Sequence, residues 1–171
     1  MKGRIILYTG GGEGKTTSAI GHAVRATGQG KMVVIIQFMK GRKDTGEFKF
    51  LKGVENIKVH LCGAPDFLVN KKNRDEHLKK VKEGLTLAER VLDRKECDLL
   101  ILDEVLYALK FKLIEKRGLL SLLDKRGEID IIITGREPSK ELQEMSDVIT
   151  EMQNIKHHYD EDKKTIRGLD Y

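Results

Sequence analysis

The sequence is poor in residues that mark several classes of protein. Its 171 residues include no Trp, two Pro and two Cys, and aromatic residues make up only 5%. Because aromatic side chains are the usual stacking platforms for unpaired bases, we expect no nucleic-acid partner despite a net charge of +5. The 32 basic and 27 acidic residues are interspersed, which is typical of an ordinary charged surface.

Long apolar runs are also missing. No stretch approaches the roughly 20 residues that span a bilayer. The segment 1–10, MKGRIILYTG, has too few apolar residues for a signal peptide and fits a first strand. Cys62 and Cys97 lie far apart, which favours two core thiols in a reducing compartment over a metal site. We therefore expect no membrane association and a cytoplasmic location.

What the sequence does contain is an alternation of apolar runs and amphipathic segments. Predicted strands, the last with the polar pattern of an edge strand, cover residues 4–10, 32–41, 56–62, 97–104, 129–136 and 147–159. Predicted helices include 74–95, 105–125 with a break near 116–118, and 138–147 beginning at Pro138. The alternation predicts one α/β domain over residues 1–171, with a mainly parallel sheet and helices on both faces. The charged tail, 160–171, is expected to be its most mobile part.

A glycine-rich stretch, TGGGEGKTT at 9–17, separates the first strand from the first helix. In that context backbone amides of residues 10–14 and the positive end of the helix can bind phosphate, as in a phosphate-loop NTPase-like (RecA-like) fold. Lys15 adds a full charge, and the Thr16 hydroxyl can bind Mg²⁺. The general pattern has glycine at position 9. Thr9 is expected to stay in an ordinary strand conformation, with the unusual angles at the three glycines 10–12.

Further polar residues follow two of the predicted strands. Asp103 and Glu104 end the stretch LLILDE, and Arg136 ends ITGR. Ligands bind at the carboxyl ends of strands in such sheets, so the two acids are predicted to hold Mg²⁺ directly or through water. The sequence is compatible with two roles for Arg136, a contact with phosphate or an ion pair with an acid on the surface. His157 and His158 adjoin the charged tail, which favours a solvent-exposed position.

Taken in order, these motifs resemble the phosphate-loop type of cob(I)alamin, or corrinoid, adenosyltransferase. The stretch TGGGEGKTTSAIGHAVRATGQGKMVVIIQFMKG at 9–41 is similar to the N-terminal signature of that family. The later motifs follow in the family's order: GE at 46–47, LDE at 102–104, ITGR at 133–136, IKHHYD at 155–160 and GLDY at 168–171. The resemblance covers essentially the whole chain.

The resemblance implies a reaction in which a Co(I) corrinoid attacks the 5′ carbon of ATP, the adenosyl group moves to cobalt and triphosphate leaves. It implies ATP and a corrinoid (cobalamin or a precursor) as substrates, Mg²⁺ or Mn²⁺ as cofactor, a flavoprotein as reductant and a homodimer. Co(I) has no proton to lose, so no general base is required. Positioning and stabilisation of the leaving group would carry catalysis.

The resemblance also implies roles for individual residues. Lys15, Thr16 and Glu104 are expected to stabilise the leaving triphosphate, and Asp103 to contact a metal-bound water or make a structural hydrogen bond. The expected metal contacts are Thr16, Asp103 and Glu104. The expected contacts with ATP or the corrinoid are Gly10, Gly11, Gly12, Glu13, Gly14, Lys15, Thr16, Thr17, Arg25 (at the nucleoside end), Arg136 and Phe67.

One segment departs from the family pattern. The family often carries Phe-x-Trp after the third strand, in a segment thought to displace the lower axial ligand of the corrinoid. Here the stretch is APDFLVN at 64–70, in which Phe67 either matches the Phe or packs as an ordinary loop residue, and Val69 stands in the Trp position. We expect this departure to affect how four-coordinate Co(I) is made more than how ATP is bound.

Two other functions are compatible with the loop alone. A phosphate-loop ATP hydrolase would use Glu104 to place water against the terminal phosphate. A nucleotide-dependent switch would bind ATP without chemistry. The ordered motifs at 46–47, 133–136 and 168–171 favour the adenosyltransferase, because neither alternative requires them.

Overall fold

Six parallel strands form one sheet in a computed structural model that describes residues 1–66, 68, 73–157 and 165–169. The strands are β1 (Ile5–Thr9), β2 (Val33–Phe38), β3 (Ile57–Cys62), β4 (Leu99–Asp103), β5 (Asp130–Thr134) and β6 (Val148–Glu151). Their order in the sheet is β3-β2-β4-β5-β1-β6. The helices are α1 (Lys15–Gly28), α2 (Gly46–Leu51), α3 (Arg74–Asp93), α4 (Val105–Lys110), α5 (Lys116–Asp124) and α6 (Lys140–Met145).

Helices cover both faces of this sheet. Side chains alternate along each strand, so Leu7 and Leu100 pack with Val81 of α3 on one face. Ile35 and its neighbours on the other face pack against Ala19 of α1. The central strands are buried on both sides, which explains why their sequences are apolar throughout rather than alternating. The predicted fold class, a mainly parallel α/β sheet of the phosphate-loop type, is confirmed.

Several predicted boundaries were wrong, and three of them have an identifiable outcome in the structure. The last strand ends at Glu151 rather than 159, and it lies at the sheet edge with all four residues exposed. The break in the helical region covers 111–115 rather than 116–118, because α4 ends with Lys112 in a left-handed conformation (φ 54°), where glycine would have been the usual signal. Helix α6 begins at Lys140 and is capped by Ser139, so Pro138 precedes the helix.

None of the described helices is long and apolar enough to cross a membrane. The sequence prediction for Phe67, Val69 and most of the tail 160–171 falls outside the described residues.

Helix α3 lies unusually close to the sheet at Gly84. A Cβ atom at this position would lie 2.8 Å from Cε1 of Phe38 and 3.0 Å from both Cβ and Sγ of Cys62. These distances are shorter than a Cβ atom tolerates from a non-bonded carbon or sulfur atom, and the side chains of Phe38 and Cys62 are buried. The absence of a side chain at Gly84 therefore sets the distance between α3 and the strands that carry the site.

We predict that Gly84→Ala lowers the free energy of unfolding by about 1–2 kcal/mol, because overpacking outweighs the gain in helix propensity. The matched control is Gly118→Ala in α5, where a Cβ meets nothing within 4 Å. That variant should be more stable by about 0.5–1 kcal/mol. Urea unfolding of both variants checks the pair, and an equal gain in stability would show that α3 is not held at close range.

The two thiols are buried and unpaired. Burial raises the pKa of Cys62 to about 11 and that of Cys97 to about 12. At pH 8 the thiolate fraction of Cys62 is then only about one in a thousand, and the thiolate is the reactive form. We predict that a colourimetric thiol reagent leaves both cysteines of the folded chain unmodified over minutes and titrates two thiols after unfolding in urea. Rapid labelling of either thiol in the folded chain would contradict this prediction.

Candidate active site

A cavity of about 950 Å³ opens at the carboxyl ends of the central strands. It is surrounded by the segments that follow all six strands, which is where ligands bind in open α/β sheets. The residues predicted as a site that line this cavity are Gly11, Gly12, Glu13, Gly14, Lys15, Thr16, Thr17, Glu104 and Arg136.

The glycine-rich loop is shaped by the chain that follows β6. Thr9 remains in β1, as expected, and the left-handed angles belong to Gly10 (φ 99°) and Gly14 (φ 100°) rather than to Gly11 and Gly12. The amide of Gly12 donates to the carbonyl of Met152 at 2.6 Å. A Cβ on Gly12 would come within 2.8 Å of that carbonyl oxygen, so glycine is required there by close approach. The Gly12 amide therefore supports the loop, a role that the sequence did not indicate.

Lys15 lies at the centre of the loop. It is the first residue of α1, is 7% exposed, and its ammonium donates to the carbonyls of Gly10 (3.1 Å) and Gly12. Burial, followed by the charge of Arg136, lowers its pKa, while Glu104 acts in the opposite direction. The first turn of α1 has no side-chain cap, so its free amides and Lys15 together offer positive charge to an anion.

Asp103 is the buried centre of a hydrogen-bond network beneath the cavity. It is 1% exposed. Oδ1 accepts from the hydroxyls of Thr16 (2.9 Å) and Thr134 (2.8 Å), and Oδ2 from Gln37 Nε2 (3.1 Å) and Lys40 Nζ (2.9 Å). Burial acts to raise the pKa of Asp103, but the charge and hydrogen bond of Lys40 and the hydrogen bonds of Thr134 and Gln37 together outweigh it, so the pKa is lowered. Because four donors occupy the carboxylate, the geometry favours the structural hydrogen-bonding role over direct metal ligation.

Glu104 has the opposite character. Its backbone is left-handed (φ 59°), and its amide donates to the Thr134 hydroxyl at 2.8 Å. Its Oε2 atom is buried and has no hydrogen-bond partner among the described residues. Burial, and then the charge of Asp103, raise the pKa of this carboxyl. Glu104 and Thr16 line the same cavity, and a carboxylate oxygen without a donor among the described residues, together with a hydroxyl, suits a hard divalent cation such as Mg²⁺.

Of the predicted residues that the structure describes, three do not line the cavity: Gly10, Asp103 and Arg25. Gly10 packs against the chain after β6, since a Cβ there would lie 2.4 Å from the carbonyl oxygen of Met152, and Asp103 is buried. Arg25 is exposed on α1, where its charge lowers the pKa of Tyr8, although burial of that phenol has the larger, opposite effect. The structure thus separates Arg25 from the group around Lys15.

Sequence reasoning missed several residues that the structure brings to the site. Gln37, Lys40 and Thr134 all bond to Asp103. They stand at or just after strand ends, the same signal that identified Asp103 itself. His157 is not a solvent-exposed tail residue: it lines the cavity, with Nε2 3.6 Å from Oε2 of Glu13. Nothing in the local sequence marks that contact, since it joins the chain after β6 to the loop after β1.

One wall of the cavity is formed by the segments after β2 and β3. Their backbones touch, since a Cβ on Gly63 would lie 2.2 Å from the carbonyl carbon of Met39. Behind them His77 of α3 is fully buried. Its Nδ1 accepts from the amide of Ala64 at 3.4 Å, which leaves the proton on Nε2, 3.0 Å from the carbonyl oxygen of Asp66. His77 thereby holds the chain at 64–66, which lines the cavity.

Comparison with known proteins assigns the family. A family described as ATP:corrinoid adenosyltransferase BtuR/CobO/CobP matches residues 1–171. The chain belongs to this family. It is 35% identical to the corrinoid adenosyltransferase of Escherichia coli (strain K12) over 173 residues, which cover 99% of this chain and 86% of that protein.

Two further relatives agree. The Salmonella typhimurium corrinoid adenosyltransferase CobA is 34% identical, over 99% of this chain and 86% of that protein. The corrinoid adenosyltransferase of Pseudomonas aeruginosa is 30% identical, over 99% of this chain and 84% of that protein. The resemblance inferred from the motifs is therefore confirmed, as is the predicted activity of an ATP:corrinoid adenosyltransferase.

We predict that Thr134→Val, which keeps the shape but removes the hydroxyl, lowers the free energy of unfolding by about 1–3 kcal/mol. The change leaves the Glu104 amide without its acceptor and takes one donor from Asp103. Thr86→Val, at an exposed position of α3, is the matched control and should change stability by less than about 0.5 kcal/mol. Denaturant unfolding measures both, and equal effects would mean that the network contributes no stability.

Proposed function

We propose that this chain transfers the 5′-deoxyadenosyl group of ATP to the Co(I) centre of a reduced corrinoid, with triphosphate as the leaving group held by the loop at 10–17. The observation that carries the proposal is the composition of the cavity. Its lining includes Lys15, Arg136 and the amino end of α1, and it also includes the apolar side chains of Met39 and Pro65 from the segments after β2 and β3. Its volume, about 950 Å³, lies near the upper end of the usual range for ligand sites, roughly 300–1,000 Å³.

The reaction needs no general base, but it needs the loop to stabilise the leaving triphosphate. The Co(I) electron pair forms the bond to C5′ as the C5′–O5′ bond breaks, and the electrons of that bond leave on the triphosphate. No proton moves in this step. Negative charge grows on O5′ and spreads into the triphosphate, so donors and cations aimed at these oxygens lower the barrier. Lys15, Arg136 and the first amides of α1 are suited to this work.

Mg²⁺, or Mn²⁺ in its place, is the cofactor that this arrangement would accept. The residues that would hold it are Thr16, through its hydroxyl, and Glu104, through the buried Oε2 that lacks a donor among the described residues. When bound, the ion would neutralise charge on the leaving triphosphate. Asp103 would orient Thr16 from below, because its own oxygens already accept four hydrogen bonds.

The proposal extends to the setting of the reaction. The Co(I) corrinoid must be made from a Co(II) corrinoid by one-electron reduction, and a flavoprotein is the class of donor we propose. A cytoplasmic location fits the two unpaired buried thiols. A homodimer is proposed from the family resemblance, and sedimentation of the purified chain measures it directly.

The test is an anaerobic assay with ATP and chemically reduced cobalamin. We expect an adenosyl-cobalt product, seen by its change in visible absorption and its sensitivity to light, together with one triphosphate per product. Release of ADP and phosphate instead would mean that the chain is an ATP hydrolase.

In the same assay we predict that Lys15→Ala lowers kcat by about 10²–10³-fold, as expected when one preorganised donor to developing charge is lost. The matched control is Lys125→Ala, which removes a lysine that pairs with Glu89 on the surface and should leave kcat unchanged. Similar rates for Lys15→Ala and the native chain would place the reacting phosphates elsewhere.

A further inference from the structure

Lys40 contacts both Thr16, which would bind the metal ion, and Asp103, which would orient Thr16. It follows β2, directly after Met39, whose left-handed backbone (φ 61°) turns the chain. Its ammonium lies 2.9 Å from Oδ2 of Asp103 and 3.2 Å from the Thr16 hydroxyl oxygen. Its side chain is 30% exposed and lines the cavity, whereas Asp103 is 1% exposed. Lys40 therefore reaches inward from the cavity to a buried acid.

The charge of Lys40 is what makes a buried Asp103 tolerable. The other donors to this carboxylate, Thr16, Thr134 and Gln37, are neutral. Within the described part of the chain, Lys40 is the cation that forms an ion pair with Asp103. Loss of one partner from a buried ion pair strongly destabilises a protein, because the remaining charge is left uncompensated. Some cation must therefore stay near Asp103.

Lys40 also competes for the oxygen that a metal would use. The Thr16 hydroxyl gives its single proton to Asp103 and accepts from Lys40, which occupies one of its two lone pairs. An ammonium and a divalent ion that both contact the same oxygen atom would lie close together and would repel each other strongly. A free divalent ion gains few ligands to offset that repulsion, whereas an ion carried by triphosphate brings phosphate oxygens with it.

We propose that Lys40 is a placeholder cation, a role that rests on the proposed function of the site. In the nucleotide-free chain it neutralises Asp103, engages Thr16 and keeps free divalent ions away from Thr16 and Glu104. When the nucleotide arrives with its metal, Lys40 gives up Thr16 and keeps Asp103. The site is thus selective for metal already bound to a triphosphate.

The test uses Mn²⁺ alone, without nucleotide or corrinoid, on the full-length chain. Free Mn²⁺ is counted by its electron paramagnetic resonance signal. We expect Lys40→Met to bind one Mn²⁺ at least 10-fold more tightly than the native chain, and its Tm to rise with Mn²⁺ but not with NaCl of equal ionic strength. Lys40→Arg, which keeps the charge, should behave like the native chain.

Two controls locate the effect. Lys116→Met removes a surface lysine paired with Glu141 and should gain no Mn²⁺ site. Lys40→Met combined with Asp103→Asn removes both charges and should lose most of the gained affinity. If Lys40→Met is unfolded alone, Mn²⁺ should restore its far-ultraviolet circular dichroism, because the metal replaces the missing cation.

Equal Mn²⁺ affinity in Lys40→Met and the native chain would overturn the proposal. Failure of Lys40→Met to fold with Mn²⁺ present would also overturn it. Neither result bears on adenosyl transfer, which the product assay on the native chain tests separately. If the native chain makes no adenosyl-cobalt product but the Mn²⁺ results are as expected, the role of Lys40 stands and the proposed reaction is wrong.

Discussion

The site depends on one buried carboxylate. Asp103 accepts hydrogen bonds from the start of α1 (Thr16), from β2 (Gln37), from the segment after β2 (Lys40) and from the end of β5 (Thr134). Four separate parts of the chain are thereby tied to one side chain at the carboxyl edge of the sheet. A charge this deeply buried is stable only while its partners stay in place, so the network restrains the part of the cavity lined by Thr16, Gln37 and Lys40.

This restraint suits a reaction without proton transfer. An enzyme that needs no general base can use all its polar groups for holding and for charge stabilisation. Lys15, Arg136 and Glu104 line the cavity. Further along, touching backbones after β2 and β3, with His77 behind them, give a wall that is shaped before any substrate binds. Lys40 connects this wall to the Asp103 network. It lies in the segment after β2, and its ammonium contacts both Asp103 and Thr16.

Much of the fold and part of the site could be predicted because both rest on local patterns. The apolar runs mark the buried strands, and strand ends mark the ligand edge, which is how Glu104 and Arg136 were found. The errors in the predicted boundaries and in the predicted site arise where the usual sequence signal is absent. A lysine in a left-handed turn ends α4 where glycine is the usual signal, and the predicted last strand leaves the sheet after four residues. Lys40 was missed because nothing in QFMKG shows that its ammonium reaches an acid 63 residues away.

The amino-acid sequence by itself determined the class of sheet, the glycine-rich loop between β1 and α1 and, through the order of its motifs, the family. These depend on periodicity and on residues close together in the chain. Tertiary structure alone decided that Asp103 is buried and fully paired, and that the neighbouring Glu104 is left with a buried oxygen lacking a donor among the described residues. Two adjacent acids thereby acquire pKa shifts of opposite direction. The reason is physical: solvation and partners, not residue type, set the state of a carboxylate.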